Sequence, residues 1–421
     1  MNRSQVAKIY GIVVALATIG PYIVFAEHRT GCNSEASMRL IDDIAARFGP
    51  PAVAARAPGR VNLIGDHVDY CGGLVMPFAI NRDCVAAIHT DVADDRTLVL
   101  CSLNEQSEHA VPWIDVLKSG GSAPVGSWQS YVLGVIAGLG EVGAVDRLRG
   151  CRIVVATDVP MGSGLSSSAA LEVSVAVAAA SRCGIDVGDL ELAKLCQHAE
   201  HRFAGVPCGL MDQAISVLGR AGHLLILDCA TDFTEHVPIP STCELIVINS
   251  GVGHALADGE YGKRRASCEK AAEALGIRHL AHAEADALRS VPADLLPHAR
   301  HVVSETARVR ALADALAAGD LAECGRLVHE SHVSLRDDFR VSCDEIDLIV
   351  ETLCSTEGVY GARMTGGGFG GCVIGLAAPG FEPAVRAAAE RCRGLCPNIE
   401  VIPVTASDGA ERITDVVEPN A

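Results

Sequence analysis

The sequence predicts a chain of mixed α and β structure with more than one domain, and three observations support this. Apolar runs rich in β-branched residues alternate with stretches in which apolar residues recur every three or four positions, a pattern of strands and amphipathic helices. The chain has 421 residues, enough for two or three domains, and 49% of them are hydrophobic, enough for packed cores. It has no internal repeats or low-complexity linkers, so disorder is not expected.

The elements follow from this alternation. The first helix is predicted where Met38, Ile41 and Ile44 recur at helical spacing, and a Gly-Pro-Pro stop follows it. Strands are predicted over Val85–His89, Arg152–Thr157, Leu224–Leu227 and Leu245–Ile248. Further helices are predicted over Gln129–Leu139, Ala169–Ala180, Leu190–Arg202 and Glu260–Ala274.

The second half of the chain begins after a change in composition. Cys229–Thr242 is rich in Thr, Asp, Pro and Ser between two strand patterns, which makes it a candidate domain boundary. Long helices are predicted from His298 to Leu335, followed by a strand, a glycine-rich turn, a strand and a helix that reaches Cys392.

The loop Met161–Ala170 joins a predicted strand to a predicted helix and has the composition of a phosphate-binding loop. Glycines allow the backbone to approach a ligand closely, and serines lie where the helix opens and its N–H groups favour an anion. The loop lacks the Gly-Lys-Ser/Thr of a P-loop and the dinucleotide fingerprint, and such a cluster is also typical of a plain turn. The candidate phosphate-binding residues are Gly162, Ser163, Gly164, Leu165, Ser166, Ser167 and Ser168.

A second polar cluster lies earlier in the chain, between Ala57 and Tyr70. Six side chains that form hydrogen bonds fall within eleven residues, around a strand-like run and a turn at Gly65: Arg60, Asn62, Asp66, His67, Asp69 and Tyr70. Such a density is hard to explain as core. Carboxylates and an imidazole can hold hydroxyl groups in fixed directions, so the cluster suits a polyhydroxylated ligand.

Charge and cysteine content argue against a nucleic-acid-binding protein and against a zinc or disulfide protein. The net charge of −18, without a basic run, argues against nucleic-acid binding. The 17 cysteines are odd in number and scattered, without a Cys-x-x-Cys pair, and are expected to be reduced and mostly buried. His198-Ala-Glu-His201 lacks the order of a zinc-protease motif, so zinc is not expected there.

The Ala57–Tyr70 segment resembles the signature of the galactokinase family, within a superfamily of small-molecule kinases that also holds homoserine and mevalonate kinases. The loop from Pro160 is similar to the superfamily's second motif, and Gly361–Gly371 is similar to its third. The resemblance runs from about Arg39 to the C-terminus. It includes three further segments: Cys208–Gln213, Glu260–Arg265 and Glu330–Asp338.

The resemblance implies a two-domain α+β fold of the small-molecule kinases, with the active site in the cleft between the domains. An N-terminal domain like ribosomal protein S5 is expected over residues 38–230 and would bind sugar and nucleotide. A ferredoxin-like C-terminal domain is expected over residues 231–421 and would carry the third motif, whose glycines are Gly366, Gly367, Gly368, Gly370 and Gly371. These glycines are expected to close over the phosphates.

The resemblance also implies the reaction, an ATP- and Mg²⁺-dependent transfer of phosphoryl to the anomeric hydroxyl of D-galactose. Asp212 matches the catalytic base and Arg60 the cation beside it, while Ser168 and Glu200 match the Mg²⁺ ligands. An adjacent guanidinium would keep Asp212 anionic, good for orienting a hydroxyl but modest as a base. The positions that match sugar contacts are Asp66, His67, Val68, Asp69, Gly209 and Tyr261.

Departures from the family pattern leave the finer substrate range open. Asp66 stands where Glu is commoner, Val68 replaces a frequent Thr, and Cys71-Gly-Gly73 replaces a frequent Asn-x-Gly turn. A kinase for N-acetylgalactosamine or L-arabinose therefore remains an alternative. A galactose sensor without catalysis is another, although the intact catalytic set disfavours it.

The first 37 residues are interpreted as an apolar extension outside the fold, with Met38 opening the first domain. Arg3 and Lys8 precede the apolar run Ile9–Ala26, which resembles a signal peptide or a short membrane span. An exported kinase would meet no ATP, so we favour an assigned start that is too early. The expectation is a cytoplasmic monomer that acts on galactose and ATP, without nucleic acid and without stable membrane association.

Overall fold

The computed structural model describes residues 34–118, 123–253 and 257–414. The apolar run Ile9–Ala26 lies outside these residues. Within them, no helix is both long and apolar enough to cross a lipid bilayer.

The described residues alternate strands and helices as the sequence predicts. The helices are α1 (Glu35–Phe48), α2 (Trp113–Val116), α3 (Trp128–Val142), α4 (Ser167–Cys183), α5 (Asp189–Ala199), α6 (Met211–Leu218), α7 (Ala257–Leu275), α8 (Leu296–Ala318), α9 (Leu321–Ser334), α10 (Asp344–Cys354) and α11 (Glu382–Arg391). The strands are β1 (Val53–Asn62), β2 (Leu74–Val75), β3 (Pro77–His89), β4 (Thr97–Ser102), β5 (Ser107–Pro112), β6 (Arg152–Thr157), β7 (His223–Asp228), β8 (Phe233–Pro238), β9 (Glu244–Gly253), β10 (Val359–Thr365), β11 (Gly370–Ala377), β12 (Glu400–Ile402) and β13 (Glu411–Ile413).

The first sheet has six strands in the order β13-β1-β3-β6-β4-β5. Alternate residues of its strands enter two separate clusters, because successive side chains of a strand point to opposite faces. Ala54 packs with Ile41 and Ile44 of α1 on one face. Ala55 belongs to the large cluster that contains Val173 of α4 on the other. Helix α4 therefore lies across this sheet with its N-terminus at the end of β6.

The second sheet has four strands in the order β10-β11-β9-β12, and α9 and α10 pack against it. Its central strands carry a buried apolar face that includes Val247, Ile374 and Leu376. The glycine-rich turn between β10 and β11 lies at one end of this sheet. The predicted strand, turn, strand and helix up to Cys392 are confirmed.

A three-stranded sheet, β2-β7-β8, changes one interpretation. The candidate boundary Cys229–Thr242 contains a strand, β8, which forms a hairpin with β7. Its side chains are exposed or half-buried, so the segment shows the polar composition of a linker although its backbone is paired. The sequence analysis did not predict this strand.

The start of the fold also differs from the prediction. Ser34 caps α1, because its hydroxyl accepts a hydrogen bond of 3.0 Å from the backbone N–H of Ser37. Ser37 and Ala36 are buried. The folded part therefore includes at least four residues before Met38, and a chain that began at Met38 would lack this cap.

The last strand returns to the first sheet. β13 pairs with β1, and the buried Arg56 joins Asp83 at 3.1 Å to Glu411 at 2.7 Å. The end of the chain thus contributes to the sheet of the N-terminal half, a long-range pairing that a division into 38–230 and 231–421 does not include.

Candidate active site

A cavity of about 290 Å³ lies where the three predicted motifs meet. Segments distant in sequence build it: the polar turn after β1, the loop before α4, the region between α5 and α6, Tyr261 on α7 and the glycine-rich turn after β10. Among the described residues, its polar lining includes Arg60, Asp66, His67, Asp69, Ser166, Ser167, Ser168, Glu200, Asp212 and Tyr261.

Arg60 connects the first two motifs. A bulge in β1 between Pro58 and Arg60 shifts the register of the strand, and the backbone N–H of Arg60 donates to the carbonyl of Leu165 at 3.1 Å. Nη1 donates to the carbonyl of Gly164 at 2.5 Å. The guanidinium is thereby fixed beside the loop that precedes α4.

The same guanidinium forms a bidentate ion pair with the carboxylate of Asp212. Nε lies 2.8 Å from Oδ1, and Nη2 lies 2.8 Å from both Oδ1 and Oδ2, so a planar fork meets a planar acceptor. Ser166 adds a third donor, with Oγ 2.5 Å from Oδ2. The predicted pairing of Arg60 with Asp212 is present in this geometry, and the carboxylate remains accessible from the cavity.

The loop before α4 and the glycine-rich turn after β10 pack backbone against backbone. A Cβ on Gly366 would lie 3.0 Å from the carbonyl oxygen of Gly164, and one on Gly371 would lie 3.1 Å from that of Ser163. Both glycines also have positive φ angles. The two chain segments approach each other here because Gly366 and Gly371 have no side chain at the contact.

The five glycines of the third motif do not all face the cavity. Gly366 and Gly367 line it. Gly368 and Gly370 instead pack against backbone, since a Cβ on them would meet the carbonyl oxygens of Val341 at 2.4 Å and Val252 at 2.3 Å. The expectation that the whole run closes over the phosphates is thus limited to its first two glycines.

The end of the cavity near Asp66 is held by a buried ion pair. Arg363, fully buried on β10, donates to Oδ2 of Asp66 and, at 3.1 Å, to the carbonyl of Leu63. Asn62 donates to Oδ1 at 3.0 Å. The shorter side chain of Asp66 is therefore fixed by partners on both oxygens. Arg363 lies inside the third motif, but the sequence analysis gave it no role.

The side chain of Asp69 packs directly against Gly209. A Cβ on Gly209 would lie 1.8 Å from Oδ2 of Asp69, so a larger residue fits here only if this carboxylate moves. Burial, assisted by the negative charge of Asp212, raises the pKa of Asp69 to about 7. The carboxylate is half-buried and lacks a cationic partner strong enough to offset this.

His67 lines the cavity, and its ring also has partners within the protein. Burial lowers its pKa to about 3, so the ring is neutral. Nε2 lies 3.2 Å from the carbonyl of Gly367 and must donate, because a carbonyl can only accept; Nδ1, 3.0 Å from the hydroxyl of Tyr70, then accepts. Both ring nitrogens have protein partners, so the imidazole links the first motif to the third instead of presenting two open positions.

Of two other predicted sugar contacts, Tyr261 lines the cavity and Val68 does not. Tyr261 lines the cavity, and its ring lies 5.4 Å from that of His67 and 5.5 Å from that of Tyr70 between centroids. The side chain of Val68 is fully buried in the core. Val68 therefore does not line the cavity, and its side chain packs against Gly73.

Ser168 and Glu200 lie together on one wall of the cavity, as the two predicted cation ligands must. Glu200 begins a π-helical turn, Glu200–Ala204, at the end of α5 where the sequence predicted continuous helix. Burial raises its pKa to about 7, while hydrogen bonds from Cys208 and Ser168 act in the opposite direction. A buried carboxylate beside a hydroxyl is a donor set that suits Mg²⁺, a hard cation that keeps several waters.

Further buried polar groups behind this wall were missed by the sequence analysis. Gln213 donates to Glu200 at 2.6 Å and to the fully buried Glu172 at 3.0 Å. Burial and the charge of Glu200 raise the pKa of Glu172. The available signal was a single carboxylate in an otherwise Ala- and Val-rich stretch of α4.

A second cavity of about 250 Å³ adjoins the first, and the two share Ser167 and Ser168. Trp128, Tyr131 and Leu171 give it apolar walls, and Asn104 and Glu105 lie on its rim. A flat aromatic ligand attached to a phosphate chain could therefore reach from this cavity across the start of α4 into the first.

Comparison with known families agrees with this arrangement. The model of the GHMP kinases N-terminal domain matches residues 130–220, and that of the GHMP kinases C-terminal domain matches residues 312–394. Fold and site thus define a kinase of the GHMP class. The galactokinase galactose-binding signature matches residues 45–90.

Two individual relatives show to which family within this class the chain belongs. A galactokinase of Chloroflexus aurantiacus is 44% identical over 354 residues, 81% of this chain and 88% of the relative. One of Roseiflexus sp. is 42% identical over 383 residues, 88% of this chain and 95% of the relative. The chain belongs to the galactokinase family.

Solved structures agree with this at the level of the fold. The crystal structure of Lactococcus lactis galactokinase complexed with galactose aligns with a TM-score of 0.82 at 30% identity, over 89% of this chain and 98% of that one. Mevalonate kinase of Methanococcus jannaschii aligns with a TM-score of 0.63 at 16% identity, over 86% and 99%, which shows a shared fold.

Proposed function

We propose that the protein transfers the γ-phosphoryl group of ATP to the anomeric hydroxyl of D-galactose, giving galactose 1-phosphate and ADP. The observation that carries this is the Arg60–Asp212 pair. It lies between a glycine- and serine-rich helix N-terminus on one side and a pocket of carboxylate and phenol groups on the other. The relative of known structure that is complexed with galactose supports the choice of sugar.

Asp212 orients the reacting hydroxyl. Its carboxylate opens on the cavity beside Asp69 and Gly209, where the sugar would lie. Asp212 accepts the hydroxyl proton as the bond between the attacking oxygen and phosphorus forms. Positioning and charge stabilisation then supply most of the acceleration, as in phosphoryl transfer generally.

The phosphates lie against the loop before α4. The backbone N–H groups at this helix start, together with the helix dipole, favour anions, and the contact between Gly164 and Gly366 lets the two loops approach the same ligand. Arg60 adds the positive charge that meets the transferred group. We place the adenosine part in the second cavity, with its base against the apolar walls.

A Mg²⁺ ion bound with ATP would be held by Ser168 and Glu200 and would supply charge neutralisation at the phosphates. The protein contributes the fixed direction of the two ligands. Gln213 and Cys208 donate to Oε2 of Glu200 at 2.6 and 3.2 Å, which holds the carboxylate in place.

We propose that the protein acts as a monomer. The dependence on ATP and the free state of the described cysteines, for which reduction is maintained inside cells, support a cytoplasmic location.

The test is a coupled assay of ADP release with galactose, glucose, N-acetylgalactosamine and L-arabinose. We expect turnover of galactose and little of glucose, because a site with fixed polar partners leaves them unpaired when an epimer binds. Asp212→Asn is the matched control and should lower kcat by roughly 10²- to 10⁴-fold while sparing galactose binding. Equal turnover of galactose and glucose, or full activity of the variant, would contradict the proposal.

A further inference from the structure

Ser166 has an unusual backbone conformation for its residue type. Its φ and ψ angles are 59° and 48°, in the left-handed region that glycine and asparagine normally occupy. Two neighbours with positive φ, Gly162 and Gly164, meet that requirement with glycine. A non-glycine residue held in this region beside a reactive group indicates a function that outweighs the strain.

The hydroxyl of Ser166 is used in an unusual way. Ser166 occupies the N-cap position of α4, where a serine side chain usually accepts a hydrogen bond from the helix, yet its side chain makes no such cap. Oγ lies instead 2.5 Å from Oδ2 of Asp212. The left-handed backbone turns the side chain away from its own helix and towards this carboxylate.

Within the described part of the chain, the other donors to Asp212 belong to the guanidinium of Arg60. The guanidinium of Arg60 is itself held by the carbonyl of Gly164. Ser166 approaches the carboxylate from a different chain segment and supplies a donor to Oδ2 that does not belong to this guanidinium. The neighbouring serines have other surroundings. Ser168 forms a hydrogen bond with Glu200, and Ser167 lies on the wall shared with the second cavity.

We propose that Ser166 is a positioning residue for phosphoryl transfer, which holds the Asp212 carboxylate in the orientation that meets the sugar hydroxyl. This inference rests on the proposed role of Asp212. It assigns to Ser166 a task that is separate from holding phosphate, and it predicts that loss of the hydroxyl lowers kcat while the KM values for galactose and ATP stay near those of the wild type.

The experiment compares Ser166→Gly with Ser166→Ala in steady-state assays with galactose and ATP. Both remove the hydroxyl, and each should lower kcat by roughly 10- to 100-fold. Glycine accepts the left-handed backbone, so Ser166→Gly should also raise the Tm, which Ser166→Ala should not. If Ser166 served only the stability of the fold, Ser166→Gly would not give an enzyme with both a higher Tm and a lower kcat.

Gln106→Gly is the matched control. Gln106 has a φ angle of 49° in the exposed turn between β4 and β5 and, unlike Asn104 and Glu105, lines neither of the two cavities. This variant should gain stability in the same way and keep the wild-type kcat.

A double-mutant cycle separates this inference from the proposed function. In an Asp212→Asn background, Ser166→Gly should change the residual rate by less than about twofold, because residues that act through one another are not additive. Ser166 variants with wild-type kcat, or with a raised KM for ATP alone, would overturn the inference while Asp212 stayed essential. Failure of the wild type to phosphorylate galactose would instead overturn the proposed function.

Discussion

The contact between Gly209 and Asp69 gives the sharpest prediction at the scale of single residues. A methyl group at residue 209 would overlap Oδ2 of Asp69, 1.8 Å away, and its Cγ, 2.1 Å away. Gly209→Ala should therefore displace the carboxylate from the sugar. Loss of one buried hydrogen-bond partner costs about 1 to 3 kcal/mol, so we expect galactose affinity to fall roughly 10- to 100-fold, measured by calorimetry, with ATP affinity unchanged.

Gly394→Ala provides the control for this variant. No described atom lies within 4 Å of a Cβ at Gly394, and its φ angle is not in the left-handed region, so an alanine fits there. Wild-type galactose affinity in Gly209→Ala would show that Asp69 does not contact the sugar.

Arg60 makes three contacts that a lysine cannot reproduce together. Its guanidinium bonds to both oxygens of Asp212 and to the carbonyl of Gly164, whereas an ammonium group is a point donor. Arg60→Lys should lower kcat roughly 100-fold with little change in either KM, because the lost interactions act on developing charge. Steady-state kinetics decide this, with Arg82→Lys as control, since the Arg82–Asp158 pair lies away from the cavity. A pure KM effect would reduce Arg60 to a binding residue.

At the scale of elements, the glycine-rich turn between β10 and β11 divides into two parts. Gly366 and Gly367 face the cavity, whereas Gly368 and Gly370 let the turn pack on Val341 and Val252. The turn is therefore both part of the cavity wall and a packing contact, and adjacent residues should respond differently to the same substitution.

Gly367→Ala and Gly368→Ala test this division. No described protein atom lies within 4 Å of a Cβ at Gly367, so the variant should fold normally and place its methyl group in the space proposed for phosphates. Overpacking costs about 1 to 3 kcal/mol, so the KM for ATP should rise roughly tenfold at an unchanged Tm. Gly368→Ala, with its Cβ 2.4 Å from the carbonyl of Val341, should lower the Tm instead. Similar effects in both variants would contradict the division.

Elements with a strong local pattern could be predicted from the sequence. β6 has the predicted bounds Arg152–Thr157, and α4 contains the predicted Ala169–Ala180, because β-branched and Ala-rich runs have clear preferences. β8 was missed because Phe233–Pro238 is exposed or half-buried and shows no apolar period. Its strand forms through pairing with β7, which local composition does not encode.

The site could be predicted as a set of motifs but not as a set of contacts. Arg60 and Asp212 lie 152 residues apart, and the family pattern, not residue spacing, indicated that they meet. The pairing of Arg363 with Asp66, 297 residues apart, and the engagement of both His67 nitrogens depend on how the two halves of the chain fold together. Such contacts follow from three-dimensional packing alone.

For the whole molecule, burial of titratable groups produces two opposing effects of pH on stability. Burial lowers the pKa of His67 to about 3 and that of His301 to about 4, so their contribution is complete above the unfolded value of 6.5 and is lost as the pH falls. Burial raises the pKa of Asp69 and of Glu200 to about 7, from 3.8 and 4.5. Their contribution is complete below those unfolded values and is lost as the pH rises through 7.

The contributions of the histidines and the carboxylates to stability oppose each other below pH 6.5. Above pH 6.5 only the contribution of the carboxylates still changes with pH. The ligand-free protein should therefore lose stability between about pH 6 and 8, seen as a falling Tm in calorimetry. If Asp69 binds the sugar as we propose, galactose hydroxyls donate to its ionised form, so galactose should raise the Tm more at pH 8 than at pH 6, and its affinity should fall as the pH drops below 7. Asp69→Asn has no charge to lose at this position, so its weaker galactose binding should vary little with pH. A galactose affinity that is flat from pH 6 to 8 in the wild type would mean that Asp69 is already ionised in the free protein, with its burial offset by other groups.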